Sequence, residues 1–249
     1  MFTAASAVFR IVLDLVFPRA CALCGSSLPL GLSYPLCEAC HGRLPRLPAS
    51  QGQRASQGQR AERCARCGKA LISERALCLR CRTGDYSFDS AYPLFPYRGP
   101  AKELIIGYKL RNRRSLAVFL ADELWAAAKE RFPGSVIVPV PPRPGKLRSK
   151  GWDQVEAIAR LMERRHGARV RRILARRGGA QEQKKLDFEA RASNMRGRVR
   201  ARARGGLDPR EPYLLIDDVF TTGATLSACA LALKEAGAAR VDALALAAD

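Results

Sequence analysis

Long apolar runs are missing from this 249-residue chain. None approaches the ~18 residues that span a bilayer as a helix. Aromatic residues are scarce at 7%, which argues against a surface built for extensive base stacking. Acidic residues are few beside basic ones: 23 Asp and Glu against 43 Lys and Arg, for a net charge of +20 and a pI near 10.3. An export signal is not expected either. The opening MFTAASAVFRIVLDLVFP has no basic n-region, and Arg10 and Asp14 interrupt its apolar stretch. The cytoplasm is therefore the expected compartment, with attachment to the inner face of the membrane as the alternative. Val8, Ile11, Val12, Leu15 and Val16 share one helical face, so residues 1–18 are expected to form a short amphipathic helix. That helix should stop near Pro18 and dock on the protein's own body; a membrane-surface or partner helix is the other reading.

The chain has enough apolar residues, 47%, for a packed core, and its length suits one large domain or a small one plus a medium one. The basic surplus favours polyanionic partners: nucleic acid, phosphorylated small molecules or anionic membrane.

Eight of the nine cysteines form C-x-x-C pairs: Cys21/Cys24, Cys37/Cys40, Cys64/Cys67 and Cys78/Cys81. Each such turn presents two thiolates, and two turns complete a tetrahedral Cys₄ zinc site. Gly25 and Gly68 follow Cys24 and Cys67, where a zinc-ribbon knuckle needs permissive backbone. A disulfide reading needs an oxidising compartment that nothing here supports. A redox reading needs a βαβ context that is absent around residues 21–81. Residues 49–61 contain the hexad A-S-Q-G-Q-R twice and read as a flexible insertion. An insert of that kind is best tolerated between closed units. The expected pairing is therefore Cys21, Cys24, Cys37 and Cys40 on one zinc, and Cys64, Cys67, Cys78 and Cys81 on another. Interleaved pairing stays open. Four thiolates leave no position for substrate, so both zincs are expected to be structural. His41 reads as a bystander, and Cys229 as a buried core thiol.

From about residue 86 the texture becomes strand and helix in alternation. Ala91–Tyr97, Ser135–Val140, Val170–Leu174, Tyr213–Ile216 and Arg240–Ala247 are expected strands. Helices are expected from a Ser115 cap to Phe132, over Trp152–His166 ending at Gly167, and over Thr225–Ala236 closed by Gly237. The fold class is α/β, with a mainly parallel sheet covered on both faces. Residues 175–208 break the alternation; their Arg density reads as an anion-facing loop. The domain organisation is then a helix over 1–18, a double zinc ribbon over 19–85 and an α/β domain over 86–249.

Residues 213–225 read YLLIDDVFTTGAT. An apolar strand ends in Asp217 and Asp218, and a Thr/Gly turn leads into a helix. Ligands of open α/β sheets bind at the carboxyl ends of strands. Thr221, Thr222, Gly223, Ala224 and Thr225 supply hydroxyls, close-approaching backbone N–H groups and a helix N-terminus, together a phosphate cradle. Two acids beside it make sense as acceptors for sugar hydroxyls, directly or through magnesium. The deduced ligand is a ribose 5-phosphate moiety.

LLIDDVFTTGAT resembles the phosphoribosyl-diphosphate motif of type I phosphoribosyltransferases. Val138-Pro139-Val140-Pro141 with Arg143, Arg148 and Gly151-Trp152-Asp153-Gln154 is similar to a stretch of the ComF family. So are the Gln181, Arg191, Asn194, Arg196-Gly197 spacing, Lys109 after an Ile-Ile-Gly-Tyr run, and the quadruple C-x-x-C region. The resemblance covers essentially the whole chain. It departs at Trp152 and Asp153, where Phe and Asn are usual, at Gly178-Gly179-Ala180, and at Val199. The resemblance implies a type I phosphoribosyltransferase-like domain behind a double zinc ribbon. It implies that Asp217 and Asp218 contact the ribose hydroxyls and that Thr221 to Thr225 hold the 5-phosphate. Lys109, Arg143 and Arg148 would add positive charge at a magnesium-bound pyrophosphate. Family members are associated with natural competence and DNA uptake.

Two functions follow. One is a magnesium-dependent phosphoribosyltransferase with an unknown acceptor; no carboxy-terminal hood for a nucleobase is expected after Gly237. The other is a non-catalytic module that grips single-stranded DNA with its zinc ribbons and Arg-rich loop. A competence helicase or a membrane DNA channel would be the protein partner. Tyr34, Tyr86, Phe88 and Tyr92 could stack on bases, with core packing as the alternative.

Overall fold

The computed structural model describes residues 19–32, 34–47, 63–71, 75–84, 86–146, 151–176, 198–202 and 206–249. The expected amphipathic helix over 1–18, the insert over 49–61, Arg148 and residues 177–197 lie outside the described residues.

Each set of four cysteines folds alike. A knuckle closes through the antiparallel bridge Ala20–Ser27 in the first and Arg63–Ala70 in the second. Gly25 (φ 76°) and Gly68 (φ 66°) turn these knuckles in the left-handed region. The second pair of each set opens a one-turn helix: α1 (Glu38–Gly42) after Cys37 and α2 (Leu79–Thr83) after Cys78.

The rest is a parallel sheet in the order β1 (Ala91–Pro96), β6 (Val241–Ala248), β5 (Tyr213–Phe220), β2 (Val136–Pro139). All eight residues of β6 are buried, as expected of a central parallel strand covered on both faces. Successive side chains alternate between faces. Leu214, Ile216, Leu244 and Leu246 pack with α3 (Gly99–Lys109), α4 (Leu116–Arg131) and α5 (Gln154–His166). Tyr213, Leu215, Ala243 and Ala245 pack with α6 (Ala224–Glu235) and an antiparallel hairpin of β3 (Leu174–Arg176) and β4 (Val199–Ala201). The α/β, mainly parallel fold class holds, with a Cys₄-bearing region ahead of it.

The ribbons extend these two layers. Cys21, Leu36 and Cys40 join the α3/α4/α5 core, while Cys64, Cys67, Cys81 and Tyr86 join the α6 core. The first ribbon docks on α4, with Tyr34 Oη donating to Asp122 at 2.9 Å and Arg46 paired with Glu123 at 2.6 Å. Tyr34 also sets its ring edge-on to Phe119, and Tyr86 and Phe88 stack on each other in the core. Tyr92 lies under the Arg63 guanidinium. The aromatics considered for base stacking are thus engaged in packing.

Several elements differ from expectation. Helix α3 was not anticipated; Pro100 in its first turn and Ala101, Leu104, Ile105 and Tyr108 on its buried face explain it. Ser115 does not cap α4. It is itself helical and makes no side-chain cap bond, because a turn through Arg113 and Arg114 already takes the first amides. Helix α5 begins at Gln154, since Asp153 Oδ1 accepts from Glu156 N at 2.9 Å as the N-cap. Val170 makes one parallel bridge to Ile137, and the chain then leaves to form the hairpin, so Val170–Leu174 is not a strand. β5 does not stop at Ile216 but pairs with β6 through Phe220, which places both acids inside the strand.

Candidate functional site: the carboxyl edge of β5 and two Cys₄ clusters

The sulfurs of Cys21, Cys24, Cys37 and Cys40 form one group, and those of Cys64, Cys67, Cys78 and Cys81 another; within each, all lie within 4.8 Å of one another. This resolves the pairing in favour of sequential sets. Cys24 and Cys37 are 3.7 Å apart at sulfur, as are Cys67 and Cys78. Four sulfurs about 2.3 Å from one tetrahedral zinc sit about 3.8 Å apart, so both sets fit the ion. All nine cysteines are free of disulfides. In each set a main-chain N–H also points at sulfur: Cys37 N to Cys21 Sγ and Cys78 N to Cys64 Sγ, both 3.4 Å. Burial and neighbouring thiols push Cys40 and Cys81 up to about 12, so four thiolates coexist only around a cation. His41 stays outside the first set, edge-on to Phe119 and 3.7 Å from Glu123. Cys229 is fully buried, and burial lifts its thiol to about 12.

The second assembly lies at the carboxyl edge of the sheet. Asp217 and Asp218 are neighbours in sequence, but the pleat sends them to opposite layers. Asp218 joins the α3 layer and pairs with Lys109 Nζ, the last residue of α3, at 2.7 Å. Asp217 joins the α6 layer, within the field of Arg176 on β3. Burial, and then the Asp218 carboxylate, push Asp217 up to about 7. Its Oδ1 accepts from Asp218 N at 2.8 Å, and Asp218 Oδ1 accepts from Val219 N at 2.8 Å.

Lys109 is itself held. Gln154 is fully buried and donates from Nε2 to Lys109 O at 3.2 Å, while its main-chain carbonyl accepts from Tyr108 Oη at 2.7 Å. Gln154 Oε1 and Arg176 Nε are buried without a hydrogen-bond partner among the described residues.

Beyond β5 the chain turns through Thr221, Thr222 and Gly223 into α6, with Thr222 Oγ1 accepting from Ala224 N at 3.3 Å. Gly223 has φ 80°, and a Cβ there would come within 2.6 Å of both Phe220 and Tyr86. The loop after β2 begins beside the acids, because Val140 N donates to Ile216 O at 3.1 Å. Arg143 lies exposed on that loop, and Lys146 ties it to the cap of α5 by pairing with Asp153 at 2.7 Å. Asp153 therefore has two partners at once.

The structure thus brings Lys109, Asp217, Asp218 and Thr221–Thr225 to one edge and puts Arg143 on the adjoining loop. Sequence reasoning missed Arg176, Lys146, Lys69 and Arg80, and gave Gln154 and Tyr86 no part in this edge. Gln154 stood in the recognised Gly151–Gln154 stretch. Lys69 and Arg80 carry no local signal beyond their place among the cysteines.

No helix among the described residues is long and apolar enough to cross a membrane. No family model matches the chain. It is 25% identical over 235 residues to the competence protein ComFC of Streptococcus pneumoniae, which covers 88% of this chain and 94% of that protein. It is 23% identical over 229 residues to competence protein F of Haemophilus influenzae, covering 89% and 93%. With two Cys₄ clusters ahead of a parallel α/β domain, the chain is thus similar along nearly its whole length to these two competence proteins.

Proposed function

We propose that this protein binds phosphoribosyl diphosphate, or a close sugar phosphate, with magnesium at the carboxyl edge of β5, and that it acts in DNA uptake during competence or in DNA handling. The competence role rests on its two relatives. The ligand rests on one observation above others: the N–H groups of Thr222 and Gly223 have no partner among the described residues, at the start of a twelve-residue helix beside two strand-borne carboxylates. A 5-phosphate would take these amides and the Thr221, Thr222 and Thr225 hydroxyls. Asp217 and Asp218 would accept from ribose hydroxyls or from magnesium-bound water. These hard oxygen donors suit magnesium, whose charge would neutralise the diphosphate when bound.

If a pentosyl transfer follows, the bond from C1 to pyrophosphate breaks as an acceptor attacks. The residues here would bind and orient: Lys109 and Arg143 against negative charge, with the loop excluding water. The acceptor is not identified by any of these groups. A second reading has its own support. The net charge of +20 and the arginines beside the β3–β4 hairpin favour single-stranded DNA, bound in a salt-sensitive and sequence-tolerant way.

The test is calorimetric titration with phosphoribosyl diphosphate and magnesium, on wild type and on Asp217→Asn/Asp218→Asn. Binding that the double variant loses supports the site. Absence of binding in wild type, together with DNA affinity that falls steeply with salt, would replace it with the second reading.

A further inference from the structure

The carbonyl side of the Thr221–Gly223 turn is held by the second ribbon. Lys69, two residues past Cys67, donates from Nζ to Thr221 O at 2.6 Å and also to the main-chain oxygen of Asp249. Tyr86, on the segment leaving the ribbon, donates to Thr222 O at 3.0 Å, and Arg80 Nη1 reaches the same oxygen at 3.5 Å. In a trans peptide the C=O and the following N–H point in opposite directions. With both carbonyls turned toward the ribbon, the N–H groups of Thr222 and Gly223 face away from it. The Tyr86 ring closes on Gly223 from the same side. The outward aim of these amides is therefore set by three side chains from outside the loop.

The ribbon that carries those side chains has little slack. Lys69 O accepts from Cys64 N at 2.9 Å, so Lys69 is part of the knuckle. A Cβ on Gly68 would meet Ala91 O at 2.3 Å, and Ala91 N donates to Arg66 O at 2.8 Å, which joins the knuckle to β1. Arg80 sits on α2 between Cys78 and Cys81. Any loosening of this Cys₄ cluster displaces Lys69 and Arg80 together. The first ribbon, docked on α4, makes no such contact among the described residues.

We infer that the second ribbon is the positioning element of the phosphate loop, so that metal occupancy of Cys64, Cys67, Cys78 and Cys81 and anion occupancy of Thr221–Thr225 are coupled. The inference rests on the sugar-phosphate reading of that loop. Coupling between two binding sites is reciprocal: a filled cluster tightens the anion, and a bound anion slows loss of the metal.

The test uses the zinc-loaded full chain, with Lys69→Met/Arg80→Met and, as a milder change, Tyr86→Phe. Tyr86→Phe removes one hydroxyl and keeps the ring against Gly223. Both variants should retain two zincs. Amide hydrogen exchange at Ala224 and Ser227, whose N–H groups bond to Thr222 Oγ1 and Gly223 O, should speed up about tenfold in the double variant and less in Tyr86→Phe. Affinity for phosphoribosyl diphosphate with magnesium should fall about fivefold or more in the double variant. In wild type, saturating ligand should slow chelator-driven release of the second zinc, read by alkylation of Cys78 and Cys81, and leave Cys37 and Cys40 unchanged. Unchanged exchange in the double variant, or release of the second zinc indifferent to bound ligand, would overturn the inference. The exchange measurement needs no ligand. A wild type that binds no sugar phosphate would therefore sink the ligand reading and the coupling, while faster exchange in the variant would still support the positioning role.

Discussion

Asp217 and Asp218 show how far one residue's shift along a strand changes its chemistry. Asp218 is matched by Lys109 at 2.7 Å, whereas Asp217, half-buried, is desolvated beside another carboxylate and lifted to about 7. Folded Asp217 thus holds its proton more tightly than the unfolded chain does, where the carboxyl titrates near 3.8. It adds stability below about pH 4, and that contribution is lost as the pH rises through 7. Asp217→Asn removes the ionisation. Thermal midpoints of variant and wild type should agree near pH 4, and the variant should be higher by about 2 °C or more at pH 8. A difference that does not change with pH would contradict this account of Asp217. The acid pair itself was legible in YLLIDDVFTTGAT, but its division between two layers was not. That division depends on β5 continuing to Phe220, and hence on its pairing with β6.

At the scale of elements, the strand–turn–helix unit from β5 to α6 could be read locally, because the apolar run, the Thr/Gly turn and the helical period are all contiguous. Helix α3 was hidden by Gly99 and Gly107, poor helix formers within its span, although Pro100 and the 101/104/105/108 spacing were visible signals. The ribbon joint was hidden for a different reason. Arg63 precedes Cys64 and looks like one more surface cation in an arginine-rich chain. It is 5% exposed and donates to Leu47 O at 2.7 Å, Pro93 O at 2.8 Å and Gly68 O at 3.2 Å, with its guanidinium 4.1 Å from the Tyr92 ring. One side chain thus joins the segment after the first ribbon, the second knuckle and β1. Arg63→Met keeps the apolar stem and leaves three carbonyls without their charged donor, at a cost of roughly 3–5 kcal/mol. Urea denaturation should show the midpoint falling accordingly, with the slope unchanged. A change within about 0.5 kcal/mol would mean that the joint is held elsewhere.

Across the whole molecule, the two ribbons are not a separate head on an α/β body. Each enters a different layer, one with α3, α4 and α5, the other with α6 and the hairpin. The cysteine spacing revealed two Cys₄ sites, but spacing carries no information about what each one touches. That is why the second ribbon's grip on the Thr221–Gly223 turn surfaced only in three dimensions. The central claim is that the backbone of this turn receives a phosphate group, and Gly223 tests it most directly. Its φ of 80° and the 2.6 Å approach of Phe220 and Tyr86 leave no room for a side chain. The measurement is a parallel titration of wild type and Gly223→Ala with phosphoribosyl diphosphate and magnesium, both proteins carrying two zincs. The account predicts saturable binding in wild type and a loss of about tenfold or more in Gly223→Ala. Equal affinity in the two proteins, or no binding in wild type, would contradict it.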